Sequence, residues 1–211
     1  MRPHQKTWTV AAAVADGYVN DTTGATAITL LNSGPGDGLA HQCNITASGD
    51  ISLITFTFTG TDADGVALVE ALAGPAGAST VETTGYFKTM TSITKSATMG
   101  AETADIGWVD EFVTPTLPLD TYANGISANI DITGTIDYTV QATNSDMRTR
   151  LEDGPFNWFD VDDPNIDLIA ITADVQFALQ PLPRAIRLKA NSYTSTPTVA
   201  WYIIHNLGSP P

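Results

Sequence analysis

Charged residues are scarce in this sequence, and most of the charge is negative. Only 15% of its 211 residues are charged, with 9 Lys and Arg against 23 Asp and Glu, so the formal net charge is −14. No Lys or Arg occurs between Thr7 and Phe87. Because a nucleic-acid-binding surface needs cations to replace the counterions of phosphates, this charge balance argues against a DNA or RNA partner.

Cysteine and long apolar runs are scarce too. The one cysteine, Cys43, cannot form an intramolecular disulfide, and we interpret it as a small buried residue of a strand. No apolar run approaches the roughly 20 residues that a membrane-spanning helix needs, and no apolar signal segment follows the first six residues. We therefore expect a soluble, unsecreted protein with no membrane partner.

Threonine, glycine and proline are plentiful instead. The chain has 31 threonines, 17 glycines and 12 prolines. Thr, together with Ile and Val, favours strands, while Gly and Pro supply the turns between them. The fold class that we expect is all-β, with two small antiparallel β-sandwich or barrel-like domains.

Alternating apolar and polar residues predict individual strands. The alternation is clearest over residues 130–140 and is repeated over 54–58, where Ile54, Phe56 and Phe58 alternate with threonines. Residues 62–65, Asp-Ala-Asp-Gly, predict a tight hairpin turn, and residues 66–72 its second strand, although helical propensity is an alternative there. Further strands are predicted at residues 8–14, 27–31, 42–47, 86–93, 106–109, 169–175, 184–189 and 199–205.

A domain boundary is predicted near residue 115. Pro115 and Pro118 cannot donate ladder hydrogen bonds, and they stiffen an extended connection. We therefore expect an N-terminal β-domain over residues 1–114 and a C-terminal β-domain over residues 115–211.

No arrangement of residues predicts catalysis. The three histidines, His4, His41 and His205, are isolated in the sequence, and the motifs of common nucleophilic, metal-dependent and nucleotide-binding enzymes do not occur. His205 alternates with apolar residues and is interpreted as a strand residue. We expect no enzyme activity, no catalytic residue and no cofactor.

The densest acidic segment is a weak candidate for a metal site. Oxygen ligands at near-alternate positions suit Ca²⁺, but this segment lacks the glycine and the closing glutamate of a calcium loop, so a solvated turn is the preferred interpretation. Its residues are Asp160, Asp162, Asp163, Asn165 and Asp167.

Four tryptophans, Trp8, Trp108, Trp158 and Trp201, could anchor cores, fill interfaces or bind sugars. Trp158 is the best candidate for an exposed anchor because it precedes the acidic segment between two phenylalanines. Two arginines that follow a pair of prolines are candidates for a structural ion pair or for a docking contact with an acidic neighbour. The predicted interface residues are Trp158, Phe156, Phe159, Arg184 and Arg187.

Several segments together resemble virion structural proteins of tailed bacteriophages. They are residues 57–65, 74–75 and 86–94 in the first half, and residues 134–143, Trp158, 183–188 and 199–208 in the second. The resemblance implies a non-enzymatic assembly role as a head decoration, collar or tail component, and it implies no catalytic residues.

The net charge of −14 favours one position within that class. Packaged DNA would repel such a chain, whereas on the outside of a capsid the charge aids solubility. We expect a decoration or cement protein on the outer capsid surface, made in the host cytoplasm, that binds the major capsid protein and neighbouring virion subunits, as a homo-oligomer. The alternatives are a head-tail collar or tail-ring component, a carbohydrate-binding, host-attachment module that uses Trp158 or Trp108, and, last, a glycan hydrolase.

Overall fold

The computed structural model describes residues 4–22, 28–119, 125–145, 156–163, 166–179 and 182–206. Regular structure in these residues consists of β-strands, and none of them forms a helix long and apolar enough to cross a membrane. The prediction of an all-β fold is confirmed. The chain divides into two compact units, an N-terminal unit of Ala11–Val113 and a C-terminal unit of Met1–Val10 with Thr114–Pro211.

The strands vary in length from two residues to twenty-two. In chain order they are β1 (His4–Thr9), β2 (Val14–Thr22), β3 (Ala40–Ala47), β4 (Thr55–Thr61), β5 (Ala67–Ala73), β6 (Thr80–Phe87), β7 (Thr89–Lys95), β8 (Ala104–Val113), β9 (Leu117–Pro118), β10 (Gly125–Thr143), β11 (Phe159–Asp160), β12 (Asp162–Asp163), β13 (Ile166–Asp167), β14 (Val175–Leu179) and β15 (Ala185–Asn206).

The N-terminal unit contains two antiparallel sheets around one core. One sheet has the order β2-β8-β3-β6, and the other has the order β5-β4-β7. Phe56 and Phe58 of β4 are fully buried in the same hydrophobic cluster as Ile45 of β3 and Ile106 of β8. Side chains from both sheets therefore fill one core, which is the arrangement of a β-sandwich.

The hairpin between β4 and β5 is formed as the sequence predicts. The N–H of Gly65 donates to the carbonyl of Asp62 (3.0 Å), and the N–H of Asp62 donates to the carbonyl of Val66 (2.9 Å). Gly65 has a φ of +81°, the left-handed conformation that glycine adopts without a steric penalty. Residues 67–73 continue as a strand, so the strand prediction is confirmed and the helical alternative is wrong.

Glycine is required where β2 packs against β8. A Cβ atom on Gly107 would lie 1.8 Å from the carbonyl oxygen of Val14, and one on Gly17 would lie 2.1 Å from the Trp108 ring. The indole of Trp108 fills this space and donates from Nε1 to the carbonyl of Ala12 (2.9 Å). Close approach of the backbones thus depends on both glycines.

A long two-stranded ribbon forms the centre of the C-terminal unit. β10 and β15 pair antiparallel along their whole length, from Gly125 opposite Asn206 to Thr143 opposite Ala185. β1 and β9 pair with β15, while β11 and β14 pair with β10. The alternation in residues 130–140 places Ile130, Tyr138 and Val140 in the core, as predicted.

This ribbon bends near its middle. The register of β10 against β15 shifts between Thr133 and Thr135, Gly134 has a φ of +100°, and Ser195 has a φ of +63°. A groove lined by Trp201 also includes residues 114–118, which pair with the other end of β15. Leu117 pairs with Ile186, and an extended strand rises about 3.3 Å per residue, so a straight β15 would keep Trp201 and Leu117 about 50 Å apart. The bend therefore brings Trp201 and residues 114–118 to the same groove.

Four predicted strands differ from the structure. The strand predicted at residues 86–93 is divided at residue 88 between the end of β6 and the start of β7. The strand predicted at residues 8–14 is interrupted, because β1 ends at Thr9, the N–H of Val10 bonds to Pro197 and the N–H of Ala11 bonds to the Asp37 carboxylate. Residues 28–31 lie outside the named strands, and Ala27 lies outside the described residues. Of residues 169–174, Ile171 alone forms a bridge, to Tyr138.

The compact units differ from the predicted domains at one end of the chain. Their junction at residues 113 and 114 lies beside the boundary expected near 115, but β1 pairs with β15 and joins the C-terminal unit. A division into independent domains stays a prediction.

Candidate interaction sites

Three of the predicted interface residues form one cluster in the C-terminal unit. The guanidinium carbon of Arg187 lies 4.3 Å from the ring centroid of Trp158. Phe156 contacts the same indole edge to face, with ring centroids 5.9 Å apart and an interplanar angle of 84°. Phe156 is buried and Trp158 is half-buried. We call these three residues the tryptophan–arginine cluster.

Hydrogen bonds across the sheet hold Arg187 in this position. Its Nε donates to Oε1 of Gln141 (2.8 Å), and Nε2 of Gln141 donates to Oδ1 of Asp160 (2.8 Å). The three residues are cross-strand neighbours on β15, β10 and β11. Because the guanidinium is fixed by both a hydrogen bond and ring stacking, the cluster is a pre-organised surface of one cation and one indole.

The other two predicted interface residues are exposed. Phe159 follows Trp158, retains 46% of its accessible surface and pairs with Ala142 across the sheet. Arg184 is exposed, and its backbone N–H donates to the carbonyl of Thr143 (2.8 Å). Both lie on elements adjacent to the cluster, and a role for either in binding stays a prediction.

Two carboxylates of the acidic segment have protein hydrogen-bond donors. Oδ1 of Asp160 accepts from Gln141, and Oδ1 of Asp167 accepts from the N–H of Ile169 (3.0 Å). Asp162 and Asp163 form one strand of a small hairpin with β13. Asn165 lies outside the described residues, and within those residues no group of three or more His, Cys, Asp or Glu side chains is arranged to hold a metal ion.

His41 and Asp37 form a buried pair in the N-terminal unit. Nε2 of His41 lies 2.8 Å from Oδ2 of Asp37, and the side chains are 0% and 4% exposed. Burial by itself raises the pKa of Asp37, but hydrogen bonds from His41, Ala11 and Leu39 outweigh it, so this pKa lies below its ordinary value. Asp37, in the loop before β3, thus binds both His41 of β3 and Ala11 at the start of the unit, so the role of the pair is structural.

Two other predictions are settled by burial. Cys43 is fully buried on β3, and burial raises the pKa of its thiol, so its interpretation as a small buried strand residue is confirmed. Trp108 is 7% exposed and contacts Tyr18 edge to face, with ring centroids 5.2 Å apart. It is a core residue, so its proposed use as a sugar-binding platform is wrong.

An uncharged surface on the N-terminal unit was not predicted. The outward side of the β5-β4-β7 sheet, opposite the buried phenylalanines of β4, consists of six threonines, three alanines, one valine and one serine. We call it the uncharged face: Thr55, Thr57, Thr59, Thr61, Ala67, Val69, Ala71, Ala73, Thr89, Ser92 and Thr94. The sequence shows uncharged residues at the outward positions of β4, β5 and β7. Only the strand order shows that these three sets of residues lie side by side on one face.

Val69 and the threonine hydroxyls give this face its chemistry. Val69, at its centre, is 63% exposed and lies opposite Thr59. At one end Thr61 and Thr89 form a hydroxyl–hydroxyl hydrogen bond across the strands (2.6 Å). Methyl groups and paired hydroxyls make a surface that is neither strongly apolar nor charged.

A groove in the C-terminal unit was also not predicted. It has a volume of about 320 Å³ and is lined by side chains of β1, by residues 114–118 and by Trp201. The sequence analysis interpreted residues 114–118 only as a connection. Nothing local in the sequence links them to β1, because more than 100 residues separate the two segments.

Comparisons with known proteins give weak structural matches, including the following two. No family model matches the chain, and no curated protein matches it. The major capsid protein P2 from bacteriophage PM2 is 11% identical over 98% of each chain, with a TM-score of 0.22. The STIV MCP is 7% identical over 98% of this chain and 97% of its own, with a TM-score of 0.20. Both are distant likenesses of an all-β chain, and they establish neither its strand order nor its function.

Proposed function

We propose that this chain is a non-enzymatic structural protein of a tailed-bacteriophage virion that decorates the outer head surface and stabilises the major capsid lattice. The observation that carries the proposal is the uncharged face. In a chain with a net charge of −14, the outward side of a whole three-stranded sheet bears no charged side chain. The centres of protein interfaces are depleted of charge in the same way.

The energetics of this face suit docking on a neighbouring subunit. Burying Val69 and the threonine methyl groups contributes about 25 cal/mol per Å² of apolar surface, and no charge has to be desolvated. The hydroxyls of Thr61 and Thr89 already share one hydrogen bond within the sheet, so only one of their two O–H donors needs an acceptor from the partner. Such a face can associate with a flat partner at little electrostatic cost.

The net charge supports a position on the outside of the head. Acidic side chains elsewhere on the chain would be repelled by packaged DNA inside the capsid, whereas outside it they keep particles apart in solution. The resemblance to virion proteins supports a structural role in the particle, and the charge favours the outside of the head, with the major capsid protein and sibling copies as partners.

The copy number in purified particles tests this function. For lattice decoration we expect on the order of hundreds of copies per virion, because a symmetric shell repeats the binding site. Quantitative mass spectrometry of intact particles against the major capsid protein measures it. About a dozen copies or fewer would indicate the collar or tail-ring component instead, and absence of the chain from particles would overturn the proposal.

A carbohydrate-binding, host-attachment module is the second candidate, and the tryptophan–arginine cluster favours it. The half-buried Trp158 offers a ring for stacking, and the fixed Arg187 offers donors for an acidic or hydroxyl group. For this function, Trp158→Ala should lose at least about tenfold in glycan affinity, while Phe159→Ala retains it. A glycan array with both variants makes the measurement, and equal binding by the two would exclude this candidate.

A further inference from the structure

The groove of the C-terminal unit opens beside the edge strand β1. His4, Lys6 and Trp8 alternate along β1, so their side chains lie on one side of the strand, and Lys6 is the cross-strand neighbour of Trp201. Pro115 and Leu117 line the groove with them. The walls are thus mainly two indoles and the flat or branched apolar groups of residues 115–118.

Besides the two indoles, the polar side chains that line this groove are those of His4, Lys6, Thr114 and Thr116. The ammonium of Lys6 lies 5.9 Å from the Trp8 ring centroid, and within the described part of the chain it forms no ion pair. Trp201 is 3% exposed, and its buried indole N–H has no hydrogen-bond acceptor among the described residues. Buried donors in folded proteins almost always have an acceptor, so a ligand that supplies an acceptor to this N–H would be favoured.

The cation makes the groove unusual for this chain. There are only 9 Lys and Arg in 211 residues, and one of them, Lys6, borders this groove. Lys6 and Trp201 are cross-strand neighbours, and a cation and an unsatisfied N–H on such a pair, between apolar walls, are complementary to an anionic acceptor attached to an apolar body.

We propose that this groove binds a carboxylate whose apolar body is a single aromatic ring or a short acyl chain. The carboxylate accepts from Nε1 of Trp201 and pairs with Lys6, while the body lies between Trp8 and the wall of Pro115 and Leu117. A volume of about 320 Å³ limits the ligand to roughly this size. The binding site is separate from the uncharged face and does not depend on assembly into a particle.

The indole N–H resonances of the full-length chain test the proposal. In ¹H–¹⁵N spectra the four tryptophans each give one indole signal, and Trp201→Phe assigns the one of interest. Titration with 3-phenylpropionate or with octanoate should shift the Trp201 signal, and comparing the two distinguishes an aromatic from an acyl ligand. The neutral 3-phenylpropionamide should bind at least about tenfold more weakly, because it cannot pair with a cation.

Lys6→Gln should raise the dissociation constant for 3-phenylpropionate about tenfold. The matched control is Lys88→Gln, which removes the same charge from the N-terminal unit and should leave binding unchanged. Equal affinity for the amide and the carboxylate, an unmoved Trp201 signal, or equal effects of the two lysine variants would each overturn the proposal. None of these outcomes depends on whether the chain occurs in virions, so the two proposals fail separately.

Discussion

Thr59→Arg, which places a cation at the centre of the uncharged face, is expected to prevent binding to the particle while leaving the chain folded. Thr59 lies on the middle strand, opposite Val69 on one side and Ser92 on the other. A charge left unpaired in a buried interface costs about 3 kcal/mol or more, so affinity should fall more than about hundredfold. The free energy of unfolding should change by about 0.5 kcal/mol or less, since the side chain points away from the core.

Two variants separate this effect from a general change in charge or packing. Ala101→Arg adds the same charge at an exposed turn of the same unit and should bind like the original chain. Thr59→Val keeps the shape of the side chain without charge and should retain at least a large part of the affinity. The measurement is co-sedimentation of purified protein with particles that lack it. Binding by Thr59→Arg at the unaltered affinity would show that another surface docks.

The faces of individual strands could be predicted from the sequence, because a strand's side chains alternate whatever it pairs with. Phe56 and Phe58 point into the core, and the turn at Asp62 closes by local hydrogen bonds. Partners could not be predicted in the same way. β1 pairs with β15 across almost the whole chain, and the bend at Gly134 and Ser195 depends on packing between distant layers.

The same limit decides which parts of the candidate sites could be foreseen. Phe156 and Trp158 are neighbours in sequence, so a shared aromatic surface could be proposed there, but Arg187 reaches them only through the register of β10 against β15. The groove of Lys6 and Trp201 depends on three segments that the fold alone brings together. Residue type identified the candidates, and strand pairing determined their geometry.

The largest expected loss of stability follows from removing the Asp37 carboxylate. Its Oδ2 accepts from Nε2 of His41 (2.8 Å) and from the N–H of Ala11 (2.9 Å), and its Oδ1 accepts from the N–H of Leu39 (2.9 Å). Asp37→Ala removes all three of these acceptor contacts in a buried site. The free energy of unfolding should fall by about 3 kcal/mol or more, as measured by urea unfolding at neutral pH. An unchanged midpoint would show that other groups satisfy these donors.

Asp37 should also contribute to the loss of stability in acid. Its pKa in the folded chain lies below the ordinary 3.8, so the folded state favours the carboxylate more than the unfolded state does. The resulting stability is fully present above about pH 4 and is lost as the pH falls through the folded pKa, because protonation then costs the folded state more. Asp37→Asn should therefore be less stable at neutral pH and should lose less stability on acidification.

Asp50→Asn is the matched control, since hydrogen bonds from Ser52 lower the pKa of Asp50 as well, but at an exposed turn where water replaces them. The measurement is the free energy of unfolding as the pH is lowered. If both asparagine variants reduced its fall in acid by the same amount, the buried His41–Asp37 pair would not be the cause of the pH dependence.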